Sequence, residues 1–494
     1  MYFLGLDIGS SSTKVSVLDA KTGKSVAATN FPKTELAIQA PQAGFAEQSP
    51  ETWWECIKSA CQELFTNADF DPQQIEAIGI SYQMHGLVCV DKNQQVLRPA
   101  IIWCDSRAVE IGEQAFNRIG QDKCLTHLLN SPGNFTASKL KWVKDNQAEI
   151  YSQIDKIMLP GDFIAMKLTG EINTTSSGLS EGMLWDFETG DIAELLTEDY
   201  GFAKSLIPNL VPSFGDQGQV SETAAKALGL RSGIKVTYRG GDQPNNALSL
   251  NVMEPGEVAA TAGTSGVIYA VTDKNAFDPK SRVNTFQHVS HTEENPRNGV
   301  LLCVNGTGRL YSWVRSLLNV GNGEISYPAL NAFADDVEIG ADGLVLHPFG
   351  NGAERVLQNK NIGGHIRGVD FNRHHLGHIV RGAQEGIVFA LKYGFDVLKE
   401  MGVSSDLVRA GKGNMFLSPI FVDAFVNSCE TSVELYDTDG ADGAARGAGF
   451  GLGYYTNRQE MFNGLSILES YQPDNQKVDQ YANAYQNWKK YLEL

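Results

Sequence analysis

The chain is poor in the features that would send it to a membrane, a disulfide scaffold or nucleic acid. No apolar run approaches the roughly 20 residues that span a bilayer, and the N-terminus lacks a basic region followed by a signal-peptide core. A cytoplasmic protein with no membrane partner is the expectation. Seven scattered cysteines include no Cys-x-x-Cys pair, which argues against a disulfide framework and a structural zinc site. Basic charge is short: 40 Lys and Arg face 58 Asp and Glu, and the formal net charge of −18 speaks against nucleic acid as the main partner. Familiar nucleotide loops are missing too. Gly23-Lys24-Ser25 ends like a Walker loop, but Leu18 stands where that motif needs glycine. No Gly-x-Gly-x-x-Gly opens a helix after a strand, so a dinucleotide oxidoreductase is a poor fit.

What the chain does have is length, 494 residues, enough for two or three domains. Near its middle lies Tyr238-Arg239-Gly240-Gly241-Asp242-Gln243-Pro244-Asn245-Asn246. Residues 234–238 alternate like a half-buried strand, and two glycines free the backbone for a sharp turn. Gln243 is pushed towards an extended conformation by Pro244, and a helix opens near Ala247. Strand, turn, carboxylate and helix in that order put Asp242 at the mouth of a sheet. The competing reading makes Asp242 a plain helix cap.

The head of the chain offers a second signal. Strands at 2–7 and 13–18 flank Gly9-Ser10-Ser11-Ser12, whose amides and hydroxyls suit a phosphate, with Lys14 adding charge. The pattern returns at 257–262 and 267–271 around Gly263-Thr264-Ser265-Gly266. A duplicated architecture explains both, and two such turns facing each other make a nucleotide cleft. Between them, strand ends deliver Gln83-Met84-His85-Gly86 and Cys104-Asp105-Ser106-Arg107, polar groups able to bind a polyol. Taken singly, His85 reads equally as a turn histidine and Asp105 as a helix cap. Residues 140–170 read as helical with a break at Pro160-Gly161, and 174–185 as loop; neither announces chemistry. Further on, a long helix carries Ile379, Ala383, Ile387 and Leu391 on one face, residues 440–453 are small enough for close helix packing, and the tail 478–494 docks through Tyr481, Tyr485, Trp488 and Leu492.

With these pieces in place, the whole chain resembles the FGGY family of carbohydrate kinases, nearest to its D-xylulose kinases. Asp7-Ile8-Gly9-Ser10-Ser11-Ser12-Thr13-Lys14 is similar to the first phosphate motif, Gly263-Thr264-Ser265-Gly266 to the second, and Gly240-Gly241-Asp242-Gln243 to the segment that holds the catalytic Asp. Gln83-Met84-His85-Gly86 and Trp103-x-Asp105-x-Arg107 resemble the sugar-facing loops. The resemblance implies an α/β protein of two actin-like/hexokinase-like (ribonuclease H-like) domains hinged about a central cleft. Residues 1–245 would bind sugar and carry the first phosphate turn, and residues 246–494 would bind ATP. It implies Asp242 as base, with Met84, His85, Asp105, Arg107 and Gln243 at the sugar. Ser10, Ser11, Ser12, Lys14, Gly263 and Thr264 would meet the phosphates, Gly308, Gly411 and Asn414 the adenosine end, and Asp7 with Asp242 would hold Mg²⁺. The implied reaction is ATP-dependent phosphorylation of a ketopentose, D-xylulose to D-xylulose 5-phosphate, and relatives suggest a homodimer. Gln243 stands where these kinases often have Asn, and Cys104 replaces a frequent Asn. A kinase for ribulose, fuculose, gluconate or glycerol is the runner-up, ahead of a catalytically silent sugar sensor or an actin-like assembly ATPase.

Overall fold

The computed structural model describes residues 1–318 and 323–492. Two mixed sheets organise it. The first has five strands in the order Lys235–Gly241, Ile75–Tyr82, Tyr2–Ile8, Thr13–Asp19, Ser25–Phe31. The second has seven, in the order Asn284–Gln287, Asn298–Val304, Gly266–Thr272, Gly256–Ala262, Ser405–Gly411, Ser432–Tyr436, Ile467–Tyr471. In each sheet the leading strand pairs antiparallel with the next strand in the chain and parallel with a later one (Tyr2–Ile8 with Ile75–Tyr82, Gly256–Ala262 with Ser405–Gly411). A further parallel strand follows on each side, Lys235–Gly241 and Ser432–Tyr436. The duplication expected from two small-residue turns is therefore a duplication of whole sheets.

Alternation along the strands fixes what each face meets. In Tyr2–Ile8, Leu4, Leu6 and Ile8 join an apolar core with Trp53, Ile57 and Leu64 of the helix Pro50–Thr66. The opposite face carries Phe3, Gly5 and Asp7. There the helix Gly440–Gly451, from the far end of the chain, lies directly on the strand: a Cβ at Gly5 would run into the Ala441 carbonyl, and one at Gly79 into the Ala444 carbonyl. The helix Asp242–Ser249 packs beside it, with Ser249 Cβ 2.6 Å from where a Cβ on Gly443 would stand. Asn245 Nδ2 donates to the Gly440 carbonyl at 2.8 Å and ties the two helices together. The second lobe packs its own core on the long helix Leu376–Glu400, the helix Pro419–Cys429 and the tail helix Asn475–Lys490. Tyr481, Tyr485 and Trp488 are buried there as expected; the last two residues of the tail lie outside the described residues.

Three local expectations are corrected. Gly240 and Gly241 do not turn the chain: both end the strand, and Gly241 is extended (φ −59°, ψ 155°). Glycine is needed for room, since a Cβ at Gly240 would sit 2.6 Å from Val289 and one at Gly241 2.7 Å from Met84. The following helix opens at Asp242, not near Ala247, and takes in Gln243, because a proline in the first turn lacks only an N–H that has no helical partner there. The stretch 174–185 holds a short buried helix, Ser176–Glu181.

No helix of the described residues is long and apolar enough to cross a membrane. Gly79→Ala must displace the helix Gly440–Gly451, so we expect a stability loss of about 1–3 kcal/mol, read as a lower urea midpoint; an unchanged midpoint would show that the helix does not bear on this strand.

Candidate active site

Both lobes contribute to a cleft of about 350 Å³ lined by Asp7, Lys14, Asp242, Gln243, Gly411, Asn414 and Asp439 among others. Asp7 reaches it from the strand Tyr2–Ile8, on the face that meets the helix Gly440–Gly451. Its Oδ1 accepts from Ser81 Oγ at 2.7 Å. Asp242 is the first residue of its helix. The cap position is Gly241 and no side chain caps that end, so the carboxylate is not consumed as a helix cap. Burial, and then the facing charge of Asp7, push the Asp242 carboxyl up to about 7. Burial also raises Asp7, against the pull of Ser81 and Lys14.

Of the expected phosphate and adenosine residues, Lys14, Gly411 and Asn414 line this cleft. The Gly9 N–H donates to the Ser12 carbonyl at 3.0 Å and closes the first turn. Ser10 is held from both sides: its carbonyl accepts from Gln48 Nε2 (2.7 Å) and its hydroxyl from the Trp103 indole (3.2 Å), while Ser11 is exposed. In the second lobe the Gly263 carbonyl accepts from Gly308 N–H at 2.9 Å, and the Thr264 carbonyl from Arg309 N–H at 3.2 Å. Asn414 Nδ2 lies 3.6 Å from where a Cβ on Gly263 would stand, which joins that turn to the strip Gly411–Asn414.

The expected sugar residues divide. Met84 is buried against Gly241, one residue from Asp242. His85 sits in the left-handed region (φ 61°) with its ring between Phe135 (4.8 Å) and Phe286 (5.2 Å), the latter from the second sheet. Asp105 and Arg107 are closed to solvent and satisfy each other. Asp105 accepts from the Ala46 N–H (2.6 Å) and from Arg107 Nε and Nη2, while Arg107 also pairs with Glu47 at 2.7 Å and lies 3.8 Å over the Phe45 ring. In this conformation they brace the loop that carries Trp103. Arg239, of the central motif, is likewise internal, paired with Asp162 at 3.3 Å and with Asn173 at 2.6 Å.

Three site groups escaped the sequence reading. Asp439 caps the helix Gly440–Gly451 and lies 3.8 Å from Lys14 Nζ. The duplication held the clue, since Asp439 follows the outer parallel strand Ser432–Tyr436 as Asp242 follows its counterpart Lys235–Gly241. Lys139 donates to the carbonyls of His85 (2.8 Å) and Ile102 (3.0 Å), and burial lowers its ammonium to about 7. Glu181 accepts from the His85 N–H at 3.1 Å, and burial holds its carboxyl far above the usual range. No local pattern marks Lys139 or Glu181.

Residues 2–249 match the N-terminal domain of the FGGY family of carbohydrate kinases, and residues 258–450 match its C-terminal domain. The chain belongs to this family. It is an ATP-dependent kinase of small-molecule sugars. It is 29% identical to the xylulose kinase of Escherichia coli (strain K12) over 97% of this chain and 96% of that one. The crystal structure of xylulose kinase from Rhodospirillum rubrum shares its fold with a TM-score of 0.88 at 24% identity, covering 99% of this chain and 98% of that one. Gluconate kinase from Lactobacillus acidophilus does so with a TM-score of 0.89 at 21% identity, covering 99% and 97%.

The Asp242 carboxyl gives a pH signature. Its folded value of about 7 lies above the ordinary 3.8, so the folded kinase keeps a proton that the unfolded chain has lost. Its contribution to stability is present below about pH 4 and lost as pH rises towards 7. Asp242→Asn should therefore be more stable than the parent at pH 8, with the gain fading towards pH 4, as read from urea midpoints across that range. Equal midpoints at both ends would mean that the carboxyl is not raised.

Proposed function

We propose that the kinase transfers the γ-phosphoryl group of ATP to the C5 hydroxyl of D-xylulose, giving D-xylulose 5-phosphate, with Asp242 as general base. The observation that carries this reading is the uncapped Asp242 carboxyl, raised to about 7 and lining a cleft between two duplicated lobes. A base with that affinity is about half ionised at neutral pH, and its ionised form binds the departing proton more tightly than an ordinary carboxylate would. An alcohol is a very weak acid, so proton transfer to an Asp242 Oδ accompanies attack on phosphorus. Full length similarity to a xylulose kinase supports the choice of sugar.

Binding divides between the lobes. Met84, His85 and Gln243 face the sugar, and Asp105 with Arg107 keeps the adjoining loop in place. Ser10, Ser11, Ser12, Lys14, Gly263 and Thr264 receive the phosphates, and Gly308, Gly411 and Asn414 receive the adenosine. The donor set also fits Mg²⁺. Asp7 and Asp242 are hard oxygen donors whose mutual repulsion a cation relieves. Among the described residues no three His, Cys, Asp or Glu side chains form a cage. That matches an ion that keeps most of its waters and leans on phosphate oxygens. Bound there, Mg²⁺ supplies charge neutralisation for the transferring phosphoryl group. Lys14 adds a fixed positive charge, and closure of the lobes keeps water from competing as nucleophile.

A sugar acid such as gluconate is the second reading. The Arg355 guanidinium stands 5.8 Å from the Phe135 ring that flanks His85, and it makes no ion pair among the described residues. ADP release with Mg-ATP against ketopentoses, hexuloses, polyols and gluconate tests both: D-xylulose should give the highest kcat/KM, gluconate in first place would favour the second reading, and no activity would favour a sensor. Asp242→Ala should lower turnover by at least about a hundredfold; near-parent turnover would remove Asp242 from the role.

A further inference from the structure

Behind the expected sugar residues, Glu181 lies beneath His85 with its side chain only 2% exposed. His85 is a non-glycine residue in the left-handed region (φ 61°), a conformation that L side chains rarely adopt and that persists only where neighbours impose it. Three contacts do so. The His85 N–H donates to Glu181 Oε2 (3.1 Å), the His85 ring Nδ1 lies 3.0 Å from the Glu181 backbone carbonyl, and Lys139 Nζ donates to the His85 carbonyl (2.8 Å). Phe135 and Phe286 then wedge the ring against flipping. The Glu181 carboxyl also interacts with the Tyr82 hydroxyl, and its Oε1 sits 3.3 Å from where a Cβ on Gly241 would stand. The same side chain thus touches the loop of His85 and the strand that ends at Asp242.

A carbonyl oxygen only accepts, so His85 Nδ1 carries the hydrogen. The imidazole is neutral, since burial and then Lys139 lower it to about 3. Nε2 is therefore an unprotonated acceptor, and no described residue donates to it. We propose that Glu181 is the positioning residue of the sugar site: its carbonyl and carboxyl together fix His85 as an Nε2 acceptor, so that the kinase selects sugars bearing a donating hydroxyl at the carbon that meets His85. This rests on the sugar-kinase reading above. A site built around a hydrogen bond rejects an analogue lacking that hydroxyl more strongly than a site shaped by packing alone.

Two variants of similar length separate the role from mere filling of space. Glu181→Gln keeps an oxygen for the His85 N–H, whereas Glu181→Met removes it. With the full-length kinase, Glu181→Met should raise the sugar KM at least about tenfold, the value of one lost hydrogen bond, and leave the ATP KM within about twofold. Glu181→Gln should stay within about threefold of the parent for both. Among ketopentoses lacking one hydroxyl each, the parent should discriminate sharply at one carbon and Glu181→Met should lose that discrimination. A parent-like sugar KM in Glu181→Met, a parallel rise in both KM values, or a Glu181→Gln as impaired as Glu181→Met would each overturn the proposal. Side-chain ¹⁵N NMR of histidine-labelled protein at pH 7.5, with the His85 signal assigned by its loss in His85→Gln, reads the tautomer without any turnover. Nδ1–H supports the assignment and Nε2–H overturns it. A kinase inactive on every sugar would sink the function while leaving the tautomer readable, so the two failures are distinct.

Discussion

The helix Gly440–Gly451 lying bare against the first sheet is the contact on which the rest depends. It works because both surfaces are stripped of side chains: Gly5 and Gly79 on the strands, Ala441 and Ala444 on the helix. Backbone meets backbone there, and the approach brings Gly440 so near Asp7 that a Cβ would strike its carboxylate. The helix start, with its cap Asp439, is thereby placed beside Asp7 and Lys14. The helix Asp242–Ser249, tied to it through Asn245, sets Asp242 on the other wall. Packing of small residues thus determines where three carboxylates stand.

Those carboxylates define the electrostatic character of the cleft. Asp242 and Asp439 stand at helix N-termini, where the helix dipole favours negative charge. Burial and mutual repulsion oppose it, and the balance leaves Asp242 near neutrality in its proton affinity. Against a chain of net charge −18, Lys14 is a fixed positive charge of the cleft, and in the proposed reading it and the two small-residue turns would receive the polyphosphate. The wall proposed to face the sugar is built differently. Its polar groups are immobilised by one another, with Lys139, Glu181 and the braced Asp105–Arg107 pair behind a surface of His85, Met84 and aromatic rings.

Much of this was legible in the sequence, and the parts that were not share a cause. Strands, turns and the duplication follow from alternation and glycine placement, which are local. The family follows from several short motifs in a fixed order. Gly240 and Gly241 were misplaced because glycine serves a turn and a close approach equally well. Only Val289 and Met84, distant in sequence, decide between the two. Asp105 and Arg107 read as ligand-facing because their partner Glu47 lies outside the motif. Glu181 and Lys139 were invisible since a lone charged residue carries no periodicity. The glycines and alanines at 440–451 announced close packing, but nothing nearby announced against what.

That last point bears on how the protein is made. The strands of the first sheet leave the ribosome by residue 241, yet the helix that covers one of their faces is not complete until residue 451. Through nearly half of synthesis, the nascent first lobe shows Phe3, Ala77 and Tyr238 to solvent, the apolar surface that chaperones bind and that aggregates when they do not. Neither half of this chain is a complete domain until the last helices arrive, so the two lobes are obliged to mature together.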